Sequence, residues 1–184
     1  LTEKGNDVIM VKTGNIQEIS SANTSIKTLN RVYKEIVGQY PRATTILDIG
    51  CGKYDTNMEF AQEHDFIWFG IDPYNRTEEW NEDNIKAMTD WCDAPDIIMC
   101  NNVLNVIKEN NIILHILNQI YGCAGDETDI YITIYEGDKS GVGKVTTKGY
   151  QRNQKVNTYK SLISEFFDIV GTINGNIIKC RKVV

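Results

Sequence analysis

The sequence is short of the residues that build metal sites and disulfide frameworks. Its two histidines, His64 and His115, lie far apart, and its five cysteines, Cys51, Cys92, Cys100, Cys123 and Cys180, are scattered, odd in number and without a C-x-x-C pair. No metal site is expected from such spacing. The cysteines read as reduced, mostly buried thiols of a cytoplasmic protein, and His115, set in an apolar helical pattern, reads as a packed, satisfied side chain. Long apolar runs are missing as well. None is long enough to span a bilayer and no N-terminal stretch has the pattern of a signal peptide, so no membrane partner is expected. Positive charge is in deficit: 19 Lys and Arg stand against 25 Asp and Glu, a net −6 over 184 residues. That balance excludes a uniformly basic nucleic-acid binder, though not a local basic patch. Internal repeats are absent, and the length suits a single folded domain.

What is present is an alternation of strands and helices. Thr44 to Leu47 is β-branched and apolar, as in a buried parallel strand. It runs into Asp48-x-Gly50-x-Gly52, and Thr56 to Glu63 follows with helical spacing. Strand, glycine turn and helix form the nucleotide-binding unit of open α/β sheets. Glycine at 50 and 52 lets a ligand reach the backbone. A carboxylate at Asp48 repels a pyrophosphate and suits an ammonium or sulfonium group. Asp55 stands where the dinucleotide fingerprint needs its third glycine. Phe66 to Ile71 is a second buried strand ended by Asp72-Pro73. Asp72 falls about twenty residues beyond the glycine loop, where such folds place a carboxylate for ribose hydroxyls.

The remaining pattern is coarser. Residues 1–23 are polar apart from Val8 to Val11 and read as an N-terminal arm or lid, with the main domain at 24–184. Asn23-Thr24-Ser25 reads as the cap of a helix carrying Ile26, Leu29, Tyr33 and Ile36. Ile85 to Met88 reads as a short third strand, which puts Asp90 and Trp91 at the sheet edge where an adenine would sit. Asp96 to Cys100 is a fourth strand leading into Asn101 to Ile107, and Ile112 to Ile120 is a helix. Ile130 to Tyr135 is a fifth strand, 136–157 a polar loop, Tyr159 to Phe167 a helix, and Asp168 to Cys180 a hairpin turned at Asn174-Gly175.

The acidic-x-Gly-x-Gly loop at Asp48 to Gly52 resembles the first motif of class I S-adenosylmethionine-dependent methyltransferases, and the order of elements from residue 24 to 182 is similar to that family's. The resemblance implies an α/β, Rossmann-like sheet of seven mostly parallel strands with an antiparallel last strand and helices on both faces. It implies S-adenosyl-L-methionine as cofactor. Gly50, Cys51, Gly52 and Lys53 would lie along its methionine part, Asp48 would face its ammonium, Asp72 and Pro73 its ribose, Asp90 and Trp91 its adenine, and Asn101 and Asn102 the methyl end. Gly52 to Asp55, Asp72 to Arg76, Asn101 to Ile107 and Tyr135 to Asp138 are together similar to a set of bacteriophage and bacterial methyltransferases, some of them associated with DNA modification.

The acceptor is less constrained. In the loop from Glu136 to Lys155, Lys139, Lys144, Lys148, Arg152 and Lys155 are basic, and Asp138 is the only acid after Glu136. This reversal of sign in an acidic chain points to a phosphate-bearing acceptor, a nucleic acid or nucleotide, with Arg76, Lys144, Lys148 and Arg152 as candidate contacts. Glu136, with Asp138 behind it, is the candidate general base. Gly137 to Lys144 mimics a Walker A loop, but the spacing is one residue too long and Val145 stands where Mg²⁺ coordination needs Ser or Thr. After the fourth strand there is neither an Asn/Asp-Pro-Pro-Tyr/Phe motif nor a Pro-Cys nucleophile, which disfavours the usual amine and C5 DNA methylations. A NAD-type oxidoreductase, a small-molecule methyltransferase and a non-catalytic S-adenosylmethionine-binding protein remain as alternatives.

Overall fold

The computed structural model describes residues 17–183; the Val8 to Val11 patch of the expected arm lies outside that range. Continuous runs of β-branched and apolar residues form the centre of the sheet. β1 (Thr45–Ile49), β3 (Ile97–Asn101) and β4 (Asp129–Thr133) are buried along their whole length, and β2 (Ile67–Ile71) flanks them. Burial on both faces is what makes such strands apolar throughout rather than alternating. Two strands close the chain, β7 (Phe167–Ile173) and β8 (Ile177–Lys182). The six-stranded sheet has the order β2-β1-β3-β4-β8-β7, parallel from β2 to β4 and antiparallel through β8 and β7.

Two apolar layers cover it. Helices α1 (Arg31–Ile36) and α2 (Thr56–Glu63) lie on one face, where Ile46, Met99 and Tyr131 meet Tyr33, Ile36 and Ala61. On the other face α3 (Glu78–Trp91), α4 (Asn110–Cys123) and α5 (Val156–Ile163) pack against Leu47, Ile49, Ile98 and Ile132. Strand periodicity thus turns Ile46 and Asp48 to one side and Leu47 and Ile49 to the other.

Among the described residues the sheet has six strands rather than the seven expected. The segment read as a third strand, Ile85 to Met88, is the middle of α3. Its sequence contains the reason. Thr77 caps the helix, its hydroxyl accepting from the Trp80 amide at 3.2 Å, and Glu78 and Glu79 occupy the first turn, where the helix dipole favours negative charge. The helix then does part of a strand's work on the exposed side of β2. Asn84 Oδ1 accepts from the Gly70 amide at 3.2 Å, and Asn81 Oδ1 accepts from the Asp72 amide at 2.8 Å. Side-chain amides cover a sheet edge that would otherwise be free to pair with another chain.

Two further differences shape the cleft. The expected helix from Ile26 begins only at Arg31; before it, Ala22–Thr24 makes a single 3-10 turn and Ile26 is exposed. The loop 136–157 contains a short two-stranded hairpin, β5 (Lys144–Thr146) with β6 (Gly149–Gln151). β5 is exposed throughout, so no buried-face pattern marked it.

Candidate functional site

At the C-terminal ends of β1, β3 and β4 lies a partly open cavity of about 1130 Å³. This exceeds the roughly 300–1,000 Å³ that a single small ligand needs. Its floor is the glycine loop. Gly50 and Gly52 both have φ of +75°, a left-handed conformation that favours glycine. A Cβ on Gly50 would overlap Val103, and one on Gly52 would come within 2.9 Å of Ser25 Oγ.

The loop's amides are already committed within the protein. Gly50 and Cys51 both donate to Ile71 O, at 2.8 and 3.2 Å, and Gly52 donates to Asp72 Oδ2 at 2.9 Å. A pyrophosphate would therefore find no donors on these three residues and two buried carboxylates behind them, which disfavours dinucleotide binding on physical grounds. Asp72 is occupied in turn: its Oδ1 accepts from the Tyr74 and Asn75 amides, both at 2.9 Å, and Asn75 Nδ2 bridges both oxygens at 3.2 Å. It ties the turn after β2 to the glycine loop while lining the cavity.

Asp48 sits beneath the loop with no exposed surface. Its Oδ2 accepts from Tyr33 OH at 2.7 Å and Asn57 Nδ2 at 3.2 Å, and Tyr33 OH accepts from Trp68 Nε1 at 2.8 Å. Its Oδ1 has no partner. Burial pushes the carboxyl up to about 6, against the opposing pull of Tyr33, Asn57 and Asn101. Asn101 is near enough to favour the ionised form, yet its Nδ2 makes no hydrogen bond of ordinary geometry. Its Oδ1 accepts from Thr133 Oγ1 at 2.9 Å. Asn101 lines the cavity and Asp48 lies buried behind that wall, a donor and an acceptor close to each other and each without a hydrogen bond of ordinary geometry at Nδ2 and Oδ1. Cys51 borders the same wall, its thiol pushed well above the usual range by burial and by Asp48. It is not a nucleophile at neutral pH.

The roof comes from two distant segments, residues 17–31 and the β5–β6 hairpin, both of which line the cavity. They touch at Gly149, where a Cβ would lie 2.9 Å from Ser20 O. Glu18 anchors the first segment, pairing with Lys108 at 2.6 Å and donating its amide to Glu109 Oε1 at 2.8 Å. Ile26, Tyr54 and Tyr135 present exposed apolar surface around the cavity.

Of the residues expected from sequence, Gly50, Cys51, Gly52, Asp72, Pro73, Asn101, Asn102, Asp138 and Lys148 line this space. Others do not. Lys53 is exposed and stacks over the Tyr54 ring at 5.3 Å. Asp90 and Trp91 end α3 instead of bordering a third strand; Asp90 pairs with Lys86 at 2.8 Å and Trp91 is 62% exposed. Arg76 is a clamp, donating to Gly52 O at 2.8 Å and to Asp55 at 2.7 Å while stacking on Trp80. Arg152 is buried, its guanidinium donating to Ile107 O and Lys108 O at 3.0 Å and to Asn110 Oδ1 at 2.7 Å. Glu136 accepts from the Val156 amide at the start of α5 and pairs with Lys139 at 2.9 Å. Lys139 holds its carboxyl below the usual range, and Lys144 does the same more strongly to Asp138, which it meets at 2.6 Å. Carboxylates held this firmly ionised are weak bases. Two of the loop's five cations, Lys139 and Lys144, are thus neutralised from within. His115, expected to be satisfied in the core, lines the cavity. Tyr33, Asn57 and Gln119, which no motif singled out, belong to the site or its support.

No protein-family model matches the sequence, and no curated protein does. Solved structures are similar in fold. A TehB-like SAM-dependent methyltransferase from Corynebacterium glutamicum aligns over 82% of this chain and 86% of its own, at 13% identity and a TM-score of 0.53. The fold is that of SAM-dependent methyltransferases. A SAM-dependent methyltransferase from Aquifex aeolicus aligns over 82% of this chain and 89% of its own, at 10% identity and a TM-score of 0.53. The PH0226 protein from Pyrococcus horikoshii aligns over 83% and 88%, at 7% identity and a TM-score of 0.60. At such identities the shared property is the fold alone.

Proposed function

We propose that this chain is an S-adenosylmethionine-dependent methyltransferase. The observation that carries the reading is the glycine loop that floors the cavity, its amides already committed to Ile71 O and Asp72 and the buried Asp48 carboxyl beneath it. Such a floor repels a phosphate and suits a cationic ammonium or sulfonium group, with the Asn101 side chain on the wall as a further polar contact. The cofactor, when bound, supplies an electrophilic methyl on sulfur. The chain's own contribution is to hold the acceptor in line and exclude water, catalysis by positioning. Glu136 and Asp138 are not the bases of this scheme, because both are ion-paired.

The acceptor is a small molecule in this reading. Three of the cations that argued for nucleic acid are committed elsewhere: Lys139 to Glu136, Lys144 to Asp138, Arg152 to carbonyls. Among the described residues, Lys148, which lines the cavity, and exposed Lys155 pair with no carboxylate and are the remaining support for a phosphate-bearing acceptor. The likeness of several short segments to phage and bacterial methyltransferases supports methyl transfer and leaves the acceptor open.

Calorimetry with S-adenosylhomocysteine tests the cofactor reading. Micromolar binding, roughly −8 kcal/mol, is expected, and Gly50→Val should abolish it in a protein that still unfolds cooperatively. Unchanged affinity in that variant would remove the glycine loop from the site. A labelled-methyl screen of DNA, RNA, nucleotides and small-molecule extracts then separates the acceptor classes.

A further inference from the structure

Among the described residues, five buried side-chain polar atoms lack a partner: Asp48 Oδ1, Asn101 Nδ2, Glu109 Oε2, Gln119 Oε1 and Tyr159 OH. Asp48 and Asn101 are accounted for above, and Glu109 is part of the arm's anchorage. Gln119 is different. It lies on α4, far along the chain from every motif of the glycine loop, yet it lines the same cavity. Its Oε1 is buried and its neighbours on that face, Ile112 and Ile116, are apolar. A carbonyl oxygen in such surroundings strongly favours a ligand donor over nothing.

The position matters because the adenine bracket expected beyond a third strand does not exist. Asp90 and Trp91 are on the outside of the molecule. A flat base then needs other walls and another reader. We propose that α4 reads the base of the cofactor: Ile112 and Ile116 supply an apolar surface for the ring, and Gln119 Oε1 accepts from its exocyclic amine. The inference rests on the cofactor reading above. It gives the orphaned acceptor on α4 an explanation, since the cofactor's base carries a nitrogen donor, the exocyclic amine, for Gln119.

The purine-riboside analogue of S-adenosylhomocysteine is the discriminating probe, because it carries hydrogen in place of the exocyclic amine and keeps N1 as an acceptor. Without the amine, Gln119 Oε1 is left with no donor. Calorimetry on the full chain should show S-adenosylhomocysteine binding about tenfold or more tightly than this analogue, the size expected when a buried acceptor loses its donor. Gln119→Leu should weaken S-adenosylhomocysteine about tenfold and erase the preference. Gln119→Glu keeps an acceptor at the position and should keep the preference, which carries the test should the leucine variant unfold. Equal binding of the two probes by the parent chain, or a preference that survives in Gln119→Leu, overturns the assignment of α4. Failure of the parent to bind S-adenosylhomocysteine at all overturns the cofactor reading itself.

Discussion

Asp48 combines full burial with a single unsatisfied oxygen, and this has a sign that can be measured. Burial raises its carboxyl from 3.8 to about 6. The folded state therefore holds the proton more tightly than the unfolded chain, and ionisation costs stability as pH rises. The cost grows between about pH 4 and 6, is complete above that, and is on the order of 3 kcal/mol. Asp48→Asn should flatten this part of the profile, which urea unfolding at pH 4 and 7 would read. A ligand cation reverses the preference, since it needs the carboxylate. S-adenosylhomocysteine affinity should fall about tenfold from pH 7 to 5, and the asparagine variant should show no such fall. Arg152 makes a second test. Its guanidinium serves four acceptors in a buried setting, Gln154 Oε1 among them, so Arg152→Ala should cost about 2–4 kcal/mol. Lys144→Ala, removing an exposed pair, should stay within about 0.5 kcal/mol. Equal, small effects from both would return Arg152 to the solvated loop that its sequence position implied.

At the scale of elements, the replacement of a strand by α3 leaves β2 covered by side chains. Asn81 both accepts from the Asp72 amide and donates to Asp72 O. Asn81→Ala should cost about 1–3 kcal/mol and speed hydrogen exchange at the Asp72 amide more than at amides inside β1. Uniform exchange across the two strands would show that the edge is held by other means. This region also marks where the sequence stopped being legible. β1, α2, β3 and the terminal hairpin were readable because continuous β-branched runs, glycine turns and Asn-Gly have few alternative structures. Ile85 to Met88 reads as a strand because so short a stretch, three apolar residues and Lys86, fits a strand or one helical turn equally, and the deciding signals, Thr77 and two glutamates, lie a full turn or more upstream. The β5–β6 hairpin buries no apolar face, so no periodicity could announce it. At the site, the glycine loop and Asp72 were legible through spacing. Arg76 and Arg152 were not, because a charged side chain that hydrogen-bonds backbone carbonyls looks in sequence like one that faces solvent. Gln119 carried no motif at all.

For the whole molecule, the cavity is a floor with a roof that the chain assembles from its first described residues and from a hairpin more than a hundred residues later. The cofactor's proposed contacts, Gly50 and Asn101, belong to the floor. The space proposed for the acceptor lies between that floor and the roof. One molecule must then arrive before the other, and must leave after it. Turnover should be an ordered queue: cofactor first, acceptor second, methylated product out, S-adenosylhomocysteine last. Product inhibition reads the order directly. S-adenosylhomocysteine should compete with the cofactor and act non-competitively against the acceptor, whereas inhibition patterns consistent with random addition would mean that the roof opens widely enough to admit either molecule alone.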